Sequence, residues 1–327
     1  MTDDRIIYDI RSIPASLRGG VLTIGNFDGV HRGHQRILRA CRVAADARRV
    51  PVVAMTFDPL PEAVLFPHEE PPPLIVPPTE RYRRLLAHGT DAVIVLPVTP
   101  DLLALPAREF VDELLVKPLA PTRVVEGANF FFGRRRGGNI VTLETMGFSR
   151  GFSVDVVDSA AVTLGQGQRR ISSTLIRELI RDGRVEDAAA CLDGPVTLIG
   201  QVVPGQRRGR LMGFPTINLQ PTAPSSPSAT SWQGQVIPGD GVYAGHAHIA
   251  GRRHLAAVSV GPNPTFAPAA RTVEAYLLDT QGDFYGLEVE LTFRHRLRDQ
   301  QRFDSAETLT SQIQRDIEAI RRWLGDE

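Results

Sequence analysis

The stretch Gly25-Asn26-Phe27-Asp28-Gly29-Val30-His31-Arg32-Gly33-His34 begins at the end of the apolar run 21–25 and leads into an amphipathic stretch over 34–47. A short apolar run, a glycine-bearing turn and a helical period, in that order, make a strand–loop–helix unit. The same rhythm continues through the first half of the chain. Apolar runs at 52–57, 92–98 and 123–126 alternate with helical patterns at 80–88 and 107–115. Strands that read as continuous Val/Ile/Leu runs belong to parallel sheets covered by helices on both faces. The first half is therefore expected to be an α/β domain.

Ligands of open α/β sheets bind beyond the carboxyl ends of the strands, where helix N-termini offer free N–H groups to phosphate. His31 and His34, three apart at a helix start, project to one side, and Gly33 between them lets a phosphate approach the backbone. Imidazoles so placed hydrogen-bond or donate charge to α-phosphate oxygens as negative charge develops in a transition state. A histidine taken alone is more often a satisfied surface or core side chain. Here the strand, the Gly-Asn-Phe-Asp-Gly turn and the His-x-Gly-His unit occur together. Further on, Ile171-Ser172-Ser173-Thr174-Leu175-Ile176-Arg177 stands just before an apolar-periodic helix. Hydroxyls and free N–H groups at a helix start, with an arginine one turn on, make an anion cradle, although Ser and Thr also serve as ordinary N-caps.

After Asp193-Gly194 the texture changes to short alternating runs at 196–203, 241–249, 254–260, 272–279 and 287–293, punctuated by Gly and Pro. These read as an antiparallel barrel or sandwich. With 327 residues there is room for two ordinary domains, 1–193 and 194–327. The Pro/Ser-rich segment 221–235 is expected to be a surface loop. A helix closes the chain: Asp304 and Glu307 have capping-box spacing, and Leu309, Ile313, Ile317, Ile320 and Leu324 step by four or three.

The second half carries Gly200-Gln-Val-Val-Pro-Gly205-Gln-Arg-Arg-Gly209-Arg-Leu-Met-Gly213, then Phe214-Pro215-Thr216-Ile217-Asn218-Leu219. Repeated glycine lets a loop close over phosphates with its N–H groups inward, though this is not the P-loop spacing. Thr216 and Asn218, one residue apart in an extended strand, share a face. Their hydroxyl and amide oxygens are hard donors suited to Mg²⁺ that also bridges phosphates. Val260-Gly261-Pro262-Asn263-Pro264-Thr265 follows, then Glu274 within the otherwise strand-like run 271–279. An acid there is expensive to bury without work or a partner. As a general base it would take the proton of a primary alcohol attacking a γ-phosphate.

Lys plus Arg number 37 and so do Asp plus Glu, so no net positive field gathers a nucleic acid. Cys41 and Cys191 stand far apart without metal-ligand spacing and read as buried, inert thiols. Neither a leader-like N-terminus nor an uncharged apolar run of membrane-spanning length is present, which points to the cytoplasm and to no membrane partner.

The motifs at 25–34, Thr56-Phe-Asp-Pro59, Asn129-Phe-Phe-Phe-Gly133 and 171–177 resemble the bacterial FAD synthetase module, a Rossmann-like nucleotidyltransferase. The later motifs resemble the riboflavin kinase module, a compact β-barrel with a C-terminal helix. Together they cover nearly the whole chain, in the order found in the bifunctional enzyme. The resemblance implies that His31 and His34 contact ATP phosphates and that Ser172, Ser173, Thr174 and Arg177 complete that cradle. It places Gly25, Asn26, Phe27, Asp28 and Gly33 at the same nucleotide, with Asn26 and Asp28 helping to place a metal as well, and Pro59, Asn129, Phe130 and Phe132 near the flavin. In the second half it implies ATP at Gly205, Gly209, Gly213 and Pro215, Mg²⁺ at Thr216 and Asn218, and the base role for Glu274. Riboflavin, FMN, FAD and ATP are the implied partners, and the chain is expected to be a monomer or weak homo-oligomer. Two positions depart from the family pattern: Leu60 stands where a histidine is common, and Ala128 where an acid is. Arg134-Arg135-Arg136 either clamps phosphate or is solvated. Two other readings remain open: a kinase with an inactive first half, and a flavin or nucleotide sensor without turnover.

Overall fold

The computed structural model describes residues 3–66, 68–165, 167–205, 213–221, 234–262 and 271–325. The chain forms two compact units, residues 1–72 with 78–172, and residues 73–77 with 173–327.

The first unit is built on a parallel sheet of β1 (Ile6–Ile7), β2 (Val21–Ile24), β3 (Val52–Asp58), β4 (Ala92–Pro97), β5 (Arg123–Gly127) and β6 (Ser153–Val157), in the order β1-β4-β3-β2-β5-β6. Alternation of side chains explains the continuous apolar runs. Val53 and Met55 of β3 face a core shared with Phe110, Val111, Leu115 and Leu143, while Ala54 faces one shared with Leu38, Tyr82 and Leu85. Three helices of this unit bear on the site: α1 (Arg32–Asp46), α2 (Pro61–Leu65) and α3 (Pro78–Ala87).

Two helices begin two residues before their expected starts. His31 caps α1 by accepting the His34 N–H on its own side chain, and α3 starts on Pro78, a residue suited to a first helical turn. The pattern at 107–115 becomes a longer helical run, Ala107–Phe110, a wider π turn Val111–Val116, then Lys117–Leu119. α4 (Ile140–Arg150) is capped by Asn139, whose side chain accepts the Thr142 N–H at 3.0 Å.

In the second unit, α5 (Ser173–Arg181) and α6 (Val185–Leu192) precede a closed barrel. Its strands are β7 (Val196–Val203), β8 (Thr216–Pro221), β9 (Gly241–Ile249), β10 (Arg252–Gly261), β11 (Thr272–Leu277) and β12 (Glu288–Arg298), ordered β7-β8-β11-β10-β9-β12. Of barrel and sandwich, the fold is the barrel. β12 runs five residues past its expected end at 293 because β9 continues to pair with it after β7 has stopped. Helix α7 (Ala306–Leu324) closes the unit, with Ile320 and Leu324 buried against Ala244 and Leu278. Its capping box is Ser305–Thr308 and not Asp304–Glu307. Ser305 is the extended residue at the helix start, and its Oγ accepts the Thr308 N–H at 3.3 Å.

Residues Pro73–Pro77 join the second unit through Gln235. The buried Gln235 amide donates to the carbonyls of Thr197 at 2.6 Å and Ile75 at 3.1 Å and accepts the Ile199 N–H at 3.3 Å. Leu74 and Gln235 also form an isolated bridge, so Gln235 lies in ordered structure at the end of the segment read as a loop. Residues 222–233 of that segment lie outside the described residues.

Candidate active sites

The loop after β2 is held in a conformation that ordinary residues avoid. Phe27, Gly29 and Val30 all have positive φ, at 48°, 81° and 45°. For the β-branched Val30 this is a strained state that persists only because surrounding contacts impose it. Phe27 and Val30 are buried in the core beside Leu38, and a Cβ on Gly25 would meet the Phe27 ring at 3.3 Å. Phe27 thus fixes the turn from inside.

Side chains from far along the chain hold the outer parts. The Asn26 carbonyl accepts Thr56 Oγ1 at 3.3 Å and Arg81 Nη1 at 3.2 Å, and the Asn26 amide donates to Glu62 at 3.3 Å. Arg81, 1% exposed, also donates to the Phe57 carbonyl at 2.8 Å, tying the loop to the Thr56–Pro59 motif.

His31 and His34 stack with ring centroids 3.6 Å apart. His31 Nδ1 accepts the His34 N–H at 3.4 Å, so its proton sits on Nε2 as a donor. A Cβ on Gly33 would come within 3.0 Å of the His31 ring, which is why that position is glycine. Burial first, and the neighbouring His31 second, hold the His34 imidazole well below the usual histidine range. His34 is therefore neutral, equipped for hydrogen bonding more than for charge donation. Among the described residues its buried Nδ1 has no hydrogen-bond partner.

The residues of the second motif fall on both sides of the division between units: Ser172 ends the first, while Ser173 and Thr174 open α5 in the second. Arg177 Nε donates to the Pro73 carbonyl at 2.7 Å. Asn129 is exposed and donates to Ser159 Oγ at 3.3 Å. Phe132 is a core residue, packed against Phe110 and Phe130, and Phe131 is the ring of that run that faces outward, beneath Arg136. Arg134, Arg135 and Arg136 are exposed. Leu60 is buried at the start of α2. Cys41 and Cys191 are buried thiols, as expected.

The barrel site is assembled by strand register. Asn218, Glu274 and Ser259 stand opposite one another across β8, β11 and β10. Thr216 Oγ1 donates to Glu274 Oε2 at 3.3 Å, and Thr272 Oγ1 to Oε1 at 3.4 Å. The alternate residues Val273, Ala275 and Leu277 are buried on the other face. Ser259 Oγ in turn accepts Gln300 Nε2 at 2.8 Å. A Cβ on Gly205 would run into the Asn218 amide, so the backbone at Gly205 passes close over that side chain. Gly213 has φ 84°, Pro215 is exposed, and Gly209 and the Asn263–Thr265 motif lie outside the described residues. Thr272, Ser259 and Gln300 belong to this cluster although the sequence motifs do not mark them. The first two lie on the same strand face as Glu274, which alternation alone could have indicated.

Comparison with known proteins matches the same two parts of the chain. The FAD synthetase family matches residues 13–175 and the riboflavin kinase family residues 192–324. A bifunctional riboflavin kinase/FMN adenylyltransferase of Escherichia coli (strain K12) is 34% identical over 322 residues, 98% of this chain and 97% of the relative. One of Pseudomonas fluorescens is 33% identical over 97% of each. A crystal structure described as a macrolide-efflux protein from Streptococcus pneumoniae is 31% identical, with a TM-score of 0.83 over 97% of this chain and 98% of that one. Among the described residues no helix is long and apolar enough to cross a membrane. With both family matches in order along one chain and relatives of the same composition over its whole length, the chain belongs to the bifunctional riboflavin kinase/FMN adenylyltransferases.

Proposed function

We propose that the chain performs both reactions of its family. It transfers the γ-phosphoryl group of ATP to riboflavin, giving FMN, and then the adenylyl group of a second ATP to FMN, giving FAD and pyrophosphate. The observation that carries the reading is that both polar clusters are intact on one chain: the stacked His31–His34 pair on a strained loop, and Glu274 held by two threonine hydroxyls beside Asn218.

In the adenylyl-transfer site, His31 Nε2–H is the preorganised donor to the α-phosphate, and His34, neutral behind it, fixes the ring by stacking. Ser172 adds a hydroxyl to the phosphate cradle, and Gly25, Asn26, Phe27, Asp28 and Gly33 shape the nucleotide pocket; the parts of Ser173, Thr174 and Arg177 in that cradle are those the family resemblance implies. Pro59, Asn129 and Phe130 border the flavin, with Phe132 supporting Phe130 from the core.

In the kinase site, Glu274 takes the proton of the riboflavin primary hydroxyl as its oxygen attacks the γ-phosphorus. The donor set fits Mg²⁺. Thr216 gives its proton to Glu274 and keeps its lone pairs, Asn218 adds an amide oxygen, and a cation that retains waters and phosphate oxygens needs few protein ligands. When bound, Mg²⁺ neutralises phosphate charge. Gly205, Gly209, Gly213 and Pro215 belong to the loop over the phosphates. The domain division at 193/194, a cytoplasmic location and a monomeric or weakly associating state belong to the same reading.

Purified protein given riboflavin, ATP and Mg²⁺, with FMN and FAD separated by chromatography, tests it. Both products are expected. FMN alone would mean an inactive first site, and neither product a sensor.

A further inference from the structure

Glu126 is a buried carboxyl group, 2% exposed, that neither reaction uses. The β2/β5 ladder consists of Val21↔Arg123 and Leu22↔Val124 and then stops. On their other sides the two strands keep pairing, β2 with β3 to Ile24↔Met55 and β5 with β6 to Gly127↔Val157. The sheet therefore opens between β2 and β5 at their carboxyl ends. In the order β1-β4-β3-β2-β5-β6 this is where the direction of strand succession reverses, and such switch points hold the ligand crevice.

Along β2 the main-chain donors alternate in direction. Gly25 N–H turns toward β3 and donates to the Met55 carbonyl at 3.0 Å. Ile24 N–H turns toward β5, and there it donates to Glu126 Oε1 at 2.6 Å, where a continuing ladder would supply a main-chain carbonyl. Thr23 Oγ1 donates to the same oxygen at 3.3 Å. Burial holds the Glu126 carboxyl well above the usual carboxylate range against these donors, so it acts as a neutral acceptor.

We propose that Glu126 is a positioning residue of the adenylyl-transfer site: its carboxyl stands in for a strand carbonyl, keeps β2 and β5 parted at the switch point, and fixes the departure of the loop that carries His31 and His34. The inference rests on the reading of that loop as the adenylyl-transfer site. An apolar side chain at 126 would either orphan the Ile24 N–H or let the strands pair one step further, narrowing the crevice.

Two substitutions separate reach from acidity. Glu126→Gln keeps the length and the acceptor oxygen and removes the acid. Glu126→Asp keeps the acid and is one methylene short of Ile24. FAD formation from added FMN is measured as kcat and ATP KM, with amide hydrogen exchange at Ile24 and the melting transition on the same preparations. The Gln variant is expected to form FAD within about twofold of wild type, with Ile24 still protected. The Asp variant should lose about tenfold or more in kcat with little change in ATP KM, and exchange Ile24 faster, as a small misplacement of catalytic groups does. A folded Gln variant that loses FAD formation about tenfold overturns the proposal, because the acid itself is then required. A folded Asp variant with wild-type kcat overturns it as well. Should the Asp variant not fold, the Gln result decides. His31→Ala/His34→Ala, assayed alongside, keeps the two levels apart. If that variant still makes FAD, the site reading fails. If it does not, a failure at Glu126 concerns the positioning role alone.

Discussion

The two candidate sites hold their polar groups in place by opposite means. In the barrel, Thr216, Asn218, Ser259, Thr272 and Glu274 are aligned by strand pairing, and every strand residue involved keeps an ordinary extended backbone. In the α/β unit the His31–His34 pair follows a loop in which Phe27, Gly29 and Val30 have positive φ, held by Arg81, Thr56, Glu62 and Glu126 from other elements. A sheet supplies its own geometry, so its site depends on few outside residues. A strained loop has none, so its site is only as well placed as its struts. Substitution should therefore act locally in the barrel and at a distance in the first unit.

The sharpest expected contrast comes from Glu274→Gln. Gln keeps the shape and one acceptor but cannot take a proton, and a positioned base contributes about 10² to 10⁴ in rate. FMN formation should fall by that amount with the melting temperature unchanged, while FAD formation from added FMN persists. A stable variant with near-normal FMN output removes Glu274 from the mechanism. Next in size, His31→Ala/His34→Ala should lower FAD formation about 10²- to 10³-fold, the cost typical of losing a preorganised donor, and spare FMN formation. If FMN formation falls in parallel, the two sites are not independent.

Arg81→Met tests the strut idea itself. It takes the Arg81 hydrogen bond from the Phe57 carbonyl and leaves the Asn26 carbonyl with Thr56 alone, a loss of about 1 to 3 kcal/mol for each group left short, so the first unit should melt lower and FAD formation should drop. Arg81→Lys should recover part of both, and riboflavin phosphorylation should be unaffected. An Arg81→Met protein as stable and active as wild type would break the contrast drawn between loop and sheet.

The smallest effect is one of pH. His34 is held neutral in the fold, whereas an unfolded histidine gains a proton below about pH 6.5. The unfolded state then binds more protons, so stability falls as pH drops from about 6.5 toward the lower folded value. Glu126 acts in the opposite sense: its folded value is raised, so stability falls as pH rises above about 4.3, the unfolded value. The informative quantity is thus the difference between wild type and His34→Gln. Melting temperatures of the two should converge on acidification from pH 7.5 to 5.5, and a constant gap would contradict a neutral His34.

Period-two alternation makes the barrel site legible in the amino-acid sequence: Thr216 and Asn218 are one residue apart, and Glu274 interrupts an apolar strand. The strand-end placement of the His31–His34 loop is legible for a similar reason, since an apolar run marks a buried parallel strand. The struts are not. Arg81, Glu62 and Glu126 lie 55, 36 and 102 residues from the atoms they hold, and nothing local marks a helix arginine as buried. Glu126 does carry a signal. It is an acid at the end of an apolar run, the same feature that points to Glu274, and it is the more deeply buried of the two. The cap of α7 lies one residue from its expected place because Asp304 and Glu307 match the same spacing rule as Ser305 and Thr308, and only backbone conformation chooses between them.

Residues Pro73–Pro77 give the chain an unusual connectivity. It enters the second unit at Pro73, leaves after Pro77 and returns for good at Ser173. A protease cut at 172/173 would sever one of three covalent crossings. The two pieces would still share the Gln235–Ile75 and Arg177–Pro73 hydrogen bonds and the Leu74 bridge, and would travel together on a sizing column until denaturant separated them. Exchanging the barrel for that of a relative likewise means exchanging five residues from the middle of the first half, a seam that a single junction point would miss.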